Sequence, residues 1–270
     1  MAYGVTKLSK VQIGLETVKG TEVDATALWL GPAQLKDNRE AVFPDENIGY
    51  LGAVDRTYIP SADSEITFVP VEANYQQICY PFAAGIADIV TGAANGGTSN
   101  ALKYVYTLAT TALPTTKTYT IEGGDNSQEY QALYGFCEEI NLSGAPREAV
   151  KIGSKWRARS MAKGTFTAGI TVPTVEQILF QNGTIYLDPL ASAIGTTPLT
   201  NTWLGFDMNI KTGLIPVFTG DGSLYFSFVK CVAPDVTGSI TFEHDAVGIA
   251  RYDDFVAGTT RRVRMQFNGS

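Results

Sequence analysis

Leu204-Gly205-Phe206-Asp207-Met208-Asn209-Ile210-Lys211 alternates apolar with small or polar side chains, the period-2 rhythm of a strand buried on one face. The rhythm returns in Leu224, Phe226 and Phe228, in Ile240 and Phe242, and in Val263, Met265 and Phe267, which alternate with Arg262, Arg264 and Gln266. Four half-buried strands within residues 202–267 require a second layer over their apolar face. The fold class that follows is mainly β: an antiparallel β-sandwich or barrel with one flanking α-helix and a long inter-strand loop.

Upstream, residues 10–31 read as two short extended segments around a turn at Gly20-Thr21, and further strands are predicted over 65–71, 103–107, 118–121, 133–142 and 150–159. Gly123-Gly124-Asp125-Asn126 reads as a turn, and Asp221-Gly222 as a tight hairpin. Tyr75, Ile78, Cys79 and Phe82 stand at i, i+3, i+4 and i+7, one face of a helix over 74–84 that Pro81 ends or kinks. That helix is the natural cover for one sheet face. Residues 91–100 read as a flexible surface loop, and 160–200 as a surface elaboration with a short helix over 174–181 after Pro173. No shift in composition marks a linker, so residues 1–270 read as one domain.

Of the 270 residues only 17% are charged, against about a quarter in ordinary globular chains. Few charges hold copies apart, which favours burial in an assembly. The net charge of −7 is unevenly placed: residues 1–150 carry 9 Lys and Arg against 18 Asp and Glu, and residues 151–270 carry 11 against 9. Acidic and basic halves suit head-to-tail joining of copies, which needs two different, complementary patches; the alternative is that folding mixes both halves over one surface. Cys79, Cys137 and Cys231 are odd in number and lack metal-ligand spacing, so buried free thiols in a reducing compartment are expected. Met1 is followed by polar residues, and no run of ~18 apolar residues occurs, from which synthesis in a cytoplasm without a membrane span is expected. The glycosylation triplets at Asn141, Asn182 and Asn268 are discounted, because no signal peptide precedes them.

Residues 36–62 form a long stretch without periodicity, yet they hold Phe43, Ile48, Tyr50, Leu51 and Tyr58. Long loops in compact domains are functional or disordered, and disordered segments lack such aromatics. The stretch reads as an arm ordered on a neighbouring subunit; the alternative is an arm folded back on its own domain. Lys151, Gly153, Lys155, Arg157 and Arg159 share one face of the 150–159 strand, with Trp156 on the other. Lys163, Arg261, Arg262 and Arg264 add to the cations. A sequence pI near 4.8 argues against nucleic-acid binding by this stripe. Lys155, Arg157, Arg159, Arg262 and Arg264 are instead expected to pair with acidic groups from the N-terminal half of an adjacent subunit.

Candidate catalytic groups are few. Asp253-Asp254 and Glu138-Glu139 are adjacent pairs, and neighbours on a strand face opposite sides, so neither makes a carboxylate dyad. His244 is the single histidine and reads as an exposed turn residue. No Gly-x-Ser-x-Gly elbow occurs. Asp125, Asn126, Ser127 and Glu129 carry oxygen ligands but lack the EF-hand spacing, and a β-turn explains them. No catalytic residue, cofactor or metal is expected.

Gln12-Ile13-Gly14-Leu15-Glu16-Thr17, followed by Gly20-Thr21, resembles the opening of the tail tube (major tail) proteins of long, non-contractile-tailed bacteriophages. Gly135-Phe136-Cys137-Glu138-Glu139-Ile140 ahead of the basic strand, and Leu204 to Leu214 followed by Pro216, fall in a similar order. Tyr252-Asp253-Asp254-Phe255 and Gly258-Thr259-Thr260-Arg261-Arg262-Val263-Arg264-Met265-Gln266-Phe267 resemble that family's closing strand. The resemblance implies a β-sandwich that assembles into stacked hexameric rings, with strands of six subunits forming one inner barrel. Phe43, Asp45, Glu46, Tyr50, Arg56 and Tyr58 would then serve ring stacking, and the five cations above the contacts between subunits. Implied partners are copies of itself, a tape-measure protein, tail terminator and distal tail proteins, with double-stranded DNA passing unbound and no membrane involved. The implied location is the virion tail, assembled in the host cytoplasm. A cation held against a phosphate acts as a brake, so the lumen should be neutral or acidic and the basic stripe should face another subunit. Two rivals are a carbohydrate-binding or adhesive β-sandwich of a virion or cell surface, with Trp and Tyr exposed in a groove, and a hydrolase dependent on Asp253, Asp254 or His244.

Overall fold

The structure is a computed structural model that describes residues 4–49, 51, 56–94 and 102–269. It is mainly β, with 44% strand and 9% helix. The elements run β1 (Lys10–Leu15), β2 (Ala27–Trp29), β3 (Ala33–Asp37), β4 (Ser64–Glu72), α1 (Cys79–Gly85), β5 (Ala93–Ala94), β6 (Leu102–Lys103) and β7 (Tyr119–Gly124). Then come β8 (Glu129–Gly144), β9 (Lys151–Ala158), β10 (Ser160–Gly164), β11 (Gly183–Pro189), β12 (Pro198–Leu199) and β13 (Trp203–Lys211). The chain closes with β14 (Leu214–Val217), β15 (Phe228–Cys231), β16 (Asp235–Phe242), α2 (Ala246–Val256) and β17 (Arg261–Phe267).

β8 is 16 residues long, well beyond the usual ~5–6, because it serves two sheets. Its first half lies between β7 and β10, from Glu129 opposite Gly124 and Gly164 onward. Its second half lies between β9 and β13, with Asn141 opposite both Gly153 and Asn209. The first sheet is therefore β2-β1-β7-β8-β10 and the second β3-β4-β9-β8-β13-β16, every neighbouring pair antiparallel. Their apolar faces meet in one core. Trp29 of the first sheet stands edge-on to Phe68 of the second at 4.9 Å, and Trp156 lies 5.7 Å from Tyr119.

The switch between sheets sits at Tyr134, whose φ of 58° is left-handed and unfavourable for a residue with a side chain. The Glu16 carboxylate holds it there. Buried beyond the end of β1, it accepts hydrogen bonds from Tyr134 N at 2.7 Å, Gly20 N at 2.7 Å, Thr118 Oγ1 at 2.7 Å and Thr120 Oγ1 at 3.3 Å. A buried carboxylate is tolerable only when its lone pairs are met in this way. The same constraint explains the glycines around it: a Cβ on Gly14 would sit 2.5 Å from Asp24 O, and Gly20 turns with φ 77°. A second buried acid, Glu122, accepts from Thr167 N and Oγ1 at 2.8 and 2.7 Å, while Ala25 N donates to Thr167 Oγ1 at 3.0 Å. These bonds tie residues near 25 and 167 over the outer face of the first sheet. Smaller units complete the fold: the sheet β12-β11-β17, the hairpin β14-β15 and the pair β5-β6.

Several sequence expectations change. The helix expected over 74–84 begins at Cys79, because Asn74 closes a turn by accepting from Gln77 N at 2.8 Å. Pro81 neither ends nor kinks it; it stands in the first turn, where N–H groups need no helical partner. Residues 174–179 are extended, not helical: Ile178 N donates to Ala73 O and Val150 N to Ile178 O, both at 2.8 Å, with a 3-10 turn only at Phe180–Asn182. Buried Ile178 and Phe180 are two apart, the strand period. The segment around Leu224 and Phe226 is a wide loop, because Asp221 accepts from Ser223 N and Ser227 Oγ and opens the expected hairpin. Phe226 is nonetheless buried, against Tyr134, Phe136 and Leu214. The strand over 103–107 shrinks to Leu102–Lys103, and residues 95–100 of the expected loop lie outside the described residues. The strands of 202–267 also divide between three sheets.

Glu16→Ala would leave four donors unmet, three of them buried, and should cost roughly 3 kcal/mol of stability. A drop in the urea midpoint at unchanged slope measures it, with exposed Thr17→Ala as the near-neutral control.

Candidate self-association surfaces

The arm is tied at its base by one bridge. Val42 and Tyr58 exchange backbone hydrogen bonds of 2.8 and 3.1 Å, Thr57 Oγ1 donates to Val42 O, and Arg56 reaches Glu46 at 2.5 Å. Its apolar residues do not turn back onto the core: Phe43 is 61% exposed and Tyr58 54%, and Ile48 and Leu51 are exposed too. Phe43, Asp45, Glu46, Arg56 and Tyr58 are thus brought together on one projection, while Tyr50 lies outside the described residues.

The basic stripe has a different setting from the one expected. Arg157 reaches Asp63 at 2.5 Å and Glu138 at 2.7 Å, and Lys155 reaches Glu65 at 3.1 Å. Burial opposes the Arg157 charge, but the bonds from Glu138 and Asp63 outweigh it and hold the guanidinium protonated. The acids do come from the N-terminal half, as expected, but from the same chain. The expectation that Lys155 and Arg157 wait for a neighbour's carboxylates is corrected: the register of β4 and β9 sets Arg157 opposite Glu65 and Lys155 opposite Thr67. Across β8 and β13 the outer face continues with Glu139 opposite Lys211, Asn141 opposite Asn209 and Ser143 opposite Asp207. Asn209 donates to both Glu139 and Asn141. Away from Phe136, which faces the same way as Arg157 and is covered by Phe226, the outer face of the second sheet is polar, with its charges interleaved. Arg159, at the turn from β9 to β10, lies beside Gly20 and Tyr134.

Among the described residues both borders of the second sheet are open. β16 pairs only with β13, and no residue of β16 is buried; at the far side β3 pairs only with β4. In a six-stranded antiparallel sheet these two border strands run in opposite directions.

α2 is the element that the sequence reading missed, and it takes the Tyr252–Phe255 region expected as strand. Asp245 caps it, accepting from Val247 N at 2.9 Å and Gly248 N at 2.8 Å, bonds that hold its carboxyl below the usual range. Asp254 binds Arg261 at 2.5 Å and Arg251 at 2.9 Å, so the polar side faces β17. Ile249, Tyr252, Phe255 and Val256 are exposed, and no residue of α2 is buried. The cap and the Ile249, Tyr252, Val256 spacing were the signals available. On β17, Arg262 and Arg264 are exposed; Arg264 lies over Tyr186 and donates to Gln266, and Arg262 has no ion pair among the described residues.

The remaining candidates stay dispersed. His244 is exposed, and Asp253 and Asp254 are helical. Asp125 accepts from Ser127 N and Gln128 N in a local turn. Cys79, Cys137 and Cys231 are free; Cys137 is buried, which pushes its thiol up, and the other two are half-buried. Among the described residues no group of three His, Cys, Asp or Glu could hold a metal ion, and no helix is long and apolar enough to cross a membrane. Compared with protein-family models and with curated proteins, the chain matches none.

Two outcomes follow. Arg157→Ala should lower stability by roughly 2 kcal/mol, less than for a fully buried pair because solvent screens this one in part; chemical denaturation measures it. Asp188 is buried and accepts from Thr196 Oγ1, Gly195 N, Thr196 N and Thr197 N, led by the Thr196 hydroxyl, which lowers its carboxyl to about 2. Its stabilisation of the 188–197 turn is present above its unfolded pKa of about 3.9 and is lost as pH falls through the folded value. Amide exchange at Gly195 and Thr197 should accelerate between those limits beyond its intrinsic pH trend, and Asp188→Asn should remove that pH dependence.

Proposed function

We propose that this chain is a structural virion protein that polymerises as stacked rings, six copies to a ring, into the hollow tail tube that conducts phage DNA. The observation that carries the reading is the pair of open, oppositely directed borders on the second sheet. With an even number of strands, a copy related by rotation sets its β3 antiparallel to β16 of the one before, and every junction repeats the last. Such a heterologous contact closes into a ring and leaves no edge exposed.

The polar part of that sheet's outer face, beside the Phe226 cover, would line the channel. Lys155 and Arg157 spend their charge on Glu65, Asp63 and Glu138, so the stripe can face passing phosphates without the brake that free cations impose. This replaces the expectation that it faces another subunit. Arg262 and Arg264, exposed and without an ion pair among the described residues, serve contacts between copies, and the arm, through Phe43, Asp45, Glu46, Arg56 and Tyr58, is the means of gripping the next ring. A tape-measure protein inside, terminator and distal proteins at the ends, assembly in the host cytoplasm and a non-enzymatic role belong to the same proposal. The carbohydrate-binding or adhesive alternative has less support: Trp29 and Trp156 are buried, and Trp203 stacks among Phe180, Phe206 and Phe267.

Electron microscopy of the concentrated purified protein should reveal hollow tubes, and deletion of residues 45–58 should leave rings that do not stack. A wild-type protein that stays a compact monomer at every concentration, by light scattering, would overturn the assignment; full-length tubes from the deletion variant would overturn the role of the arm.

A further inference from the structure

α2 is amphipathic the wrong way round for a helix at the surface of a monomer. Its acid Asp254 is turned inward to Arg251 and Arg261, and its apolar stripe faces water, with Tyr252 67% and Phe255 81% exposed. Elsewhere a groove of about 980 Å³ opens between β2 and β3, lined in part by Lys7, Lys10, Leu28, Trp29, Ala33 and Leu35. Inside it the Trp29 indole N–H is buried and finds no acceptor. Such a donor costs free energy until something meets it.

We infer that α2 of one copy seats in the β2–β3 groove of the next. The inference rests on the head-to-tail reading above and adds the contact that would lock each junction. Antiparallel pairing of β16 with a neighbour's β3 sets Phe242, the end of β16, beside that neighbour's Ala33, the start of β3. α2 begins at Ala246, directly after, and so emerges at the mouth of the groove. The chemistry agrees at three points. Ile249, Tyr252, Phe255 and Val256 meet Leu28, Leu35 and the alkyl stems of the lysines. Asp253, exposed and without an ion pair among the described residues, meets Lys7 and Lys10. The Tyr252 hydroxyl and the Asp253 carboxylate supply acceptors for the indole N–H. Because α2 contributes nothing to the core, its apolar face can be changed without unfolding the chain.

The test joins two variants of the full chain. Phe255→Cys combined with Leu35→Cys should give, under mild oxidation, a ladder of covalent multimers that reductant collapses, with no ladder from either single variant. Tyr252→Glu with Phe255→Glu should raise the concentration at which assemblies appear by about tenfold or more, as for the loss of interface anchors, with an unchanged circular dichroism melt. If wild type assembles, the ladder is absent and the Glu variant assembles normally, the docking of α2 is overturned and the tube reading stands. If the Glu variant loses assembly but no ladder forms, α2 docks elsewhere and the groove assignment is overturned. A wild type that never assembles overturns both readings together.

Discussion

The contact between the Glu16 carboxylate and the amide of Tyr134 is the constraint from which the rest of the architecture follows. A strand that stayed regular through Tyr134 would carry β8 along a single sheet, and the chain would have no second layer to close its core. The left-handed turn costs about 1–2 kcal/mol, and burying a charged carboxylate costs more. Four donors converging from Thr118, β7, β8 and the Gly20 turn offset both. Local strain at one residue is thus exchanged for a packed interface in which Trp29, Phe68, Trp156 and Tyr119 touch in series.

The two sheets finish their outer faces differently, and the proposed self-association follows from that difference. The first sheet is roofed by its own chain, through Glu122, Thr167 and Ala25. The second is covered only in part, where Phe226 and Leu214 pack on Tyr134 and Phe136; the rest of its outer face carries alternating charges and amides, and among the described residues its borders are left as bare backbone. Nature seldom leaves a strand such as β16 uncovered in a free monomer, because an unpaired edge is a template for another chain. The apolar arm and the outward stripe of α2 repeat the same message in side chains.

Much of the sheet content was legible in the sequence because alternation is a local signal. Phe206, Met208 and Ile210 gave β13, and Trp156 between Lys155 and Arg157 gave β9. The importance of Gln12 to Thr21 was visible as pattern, but its cause was not, since three of the four donors of Glu16 come from residues more than a hundred positions away. Register is equally non-local: nothing near Arg157 announces that Asp63 and Glu138 will flank it, which is why an internal ion pair read as one awaiting a partner. α2 went unseen because Tyr252, Phe255 and Val256 fit a strand as readily as a helix until the Asp245 cap is weighed. Residues 174–179 erred the other way, since Pro173 opens helices and extended segments alike.

The interleaving of Lys155, Glu65, Arg157 and Glu138 also sets how far that surface can be felt. An array that alternates in sign over neighbouring strands, about 4.8 Å apart, produces a field that cancels within roughly its own repeat, well inside the ~8 Å reach of a lone charge in physiological salt. A polyanion sliding past would meet a fine corrugation out of step with its own phosphates, with no deep well at any position. Such a surface is electrically smooth at a distance while remaining fully hydrated up close, and changes in ionic strength would alter its friction little.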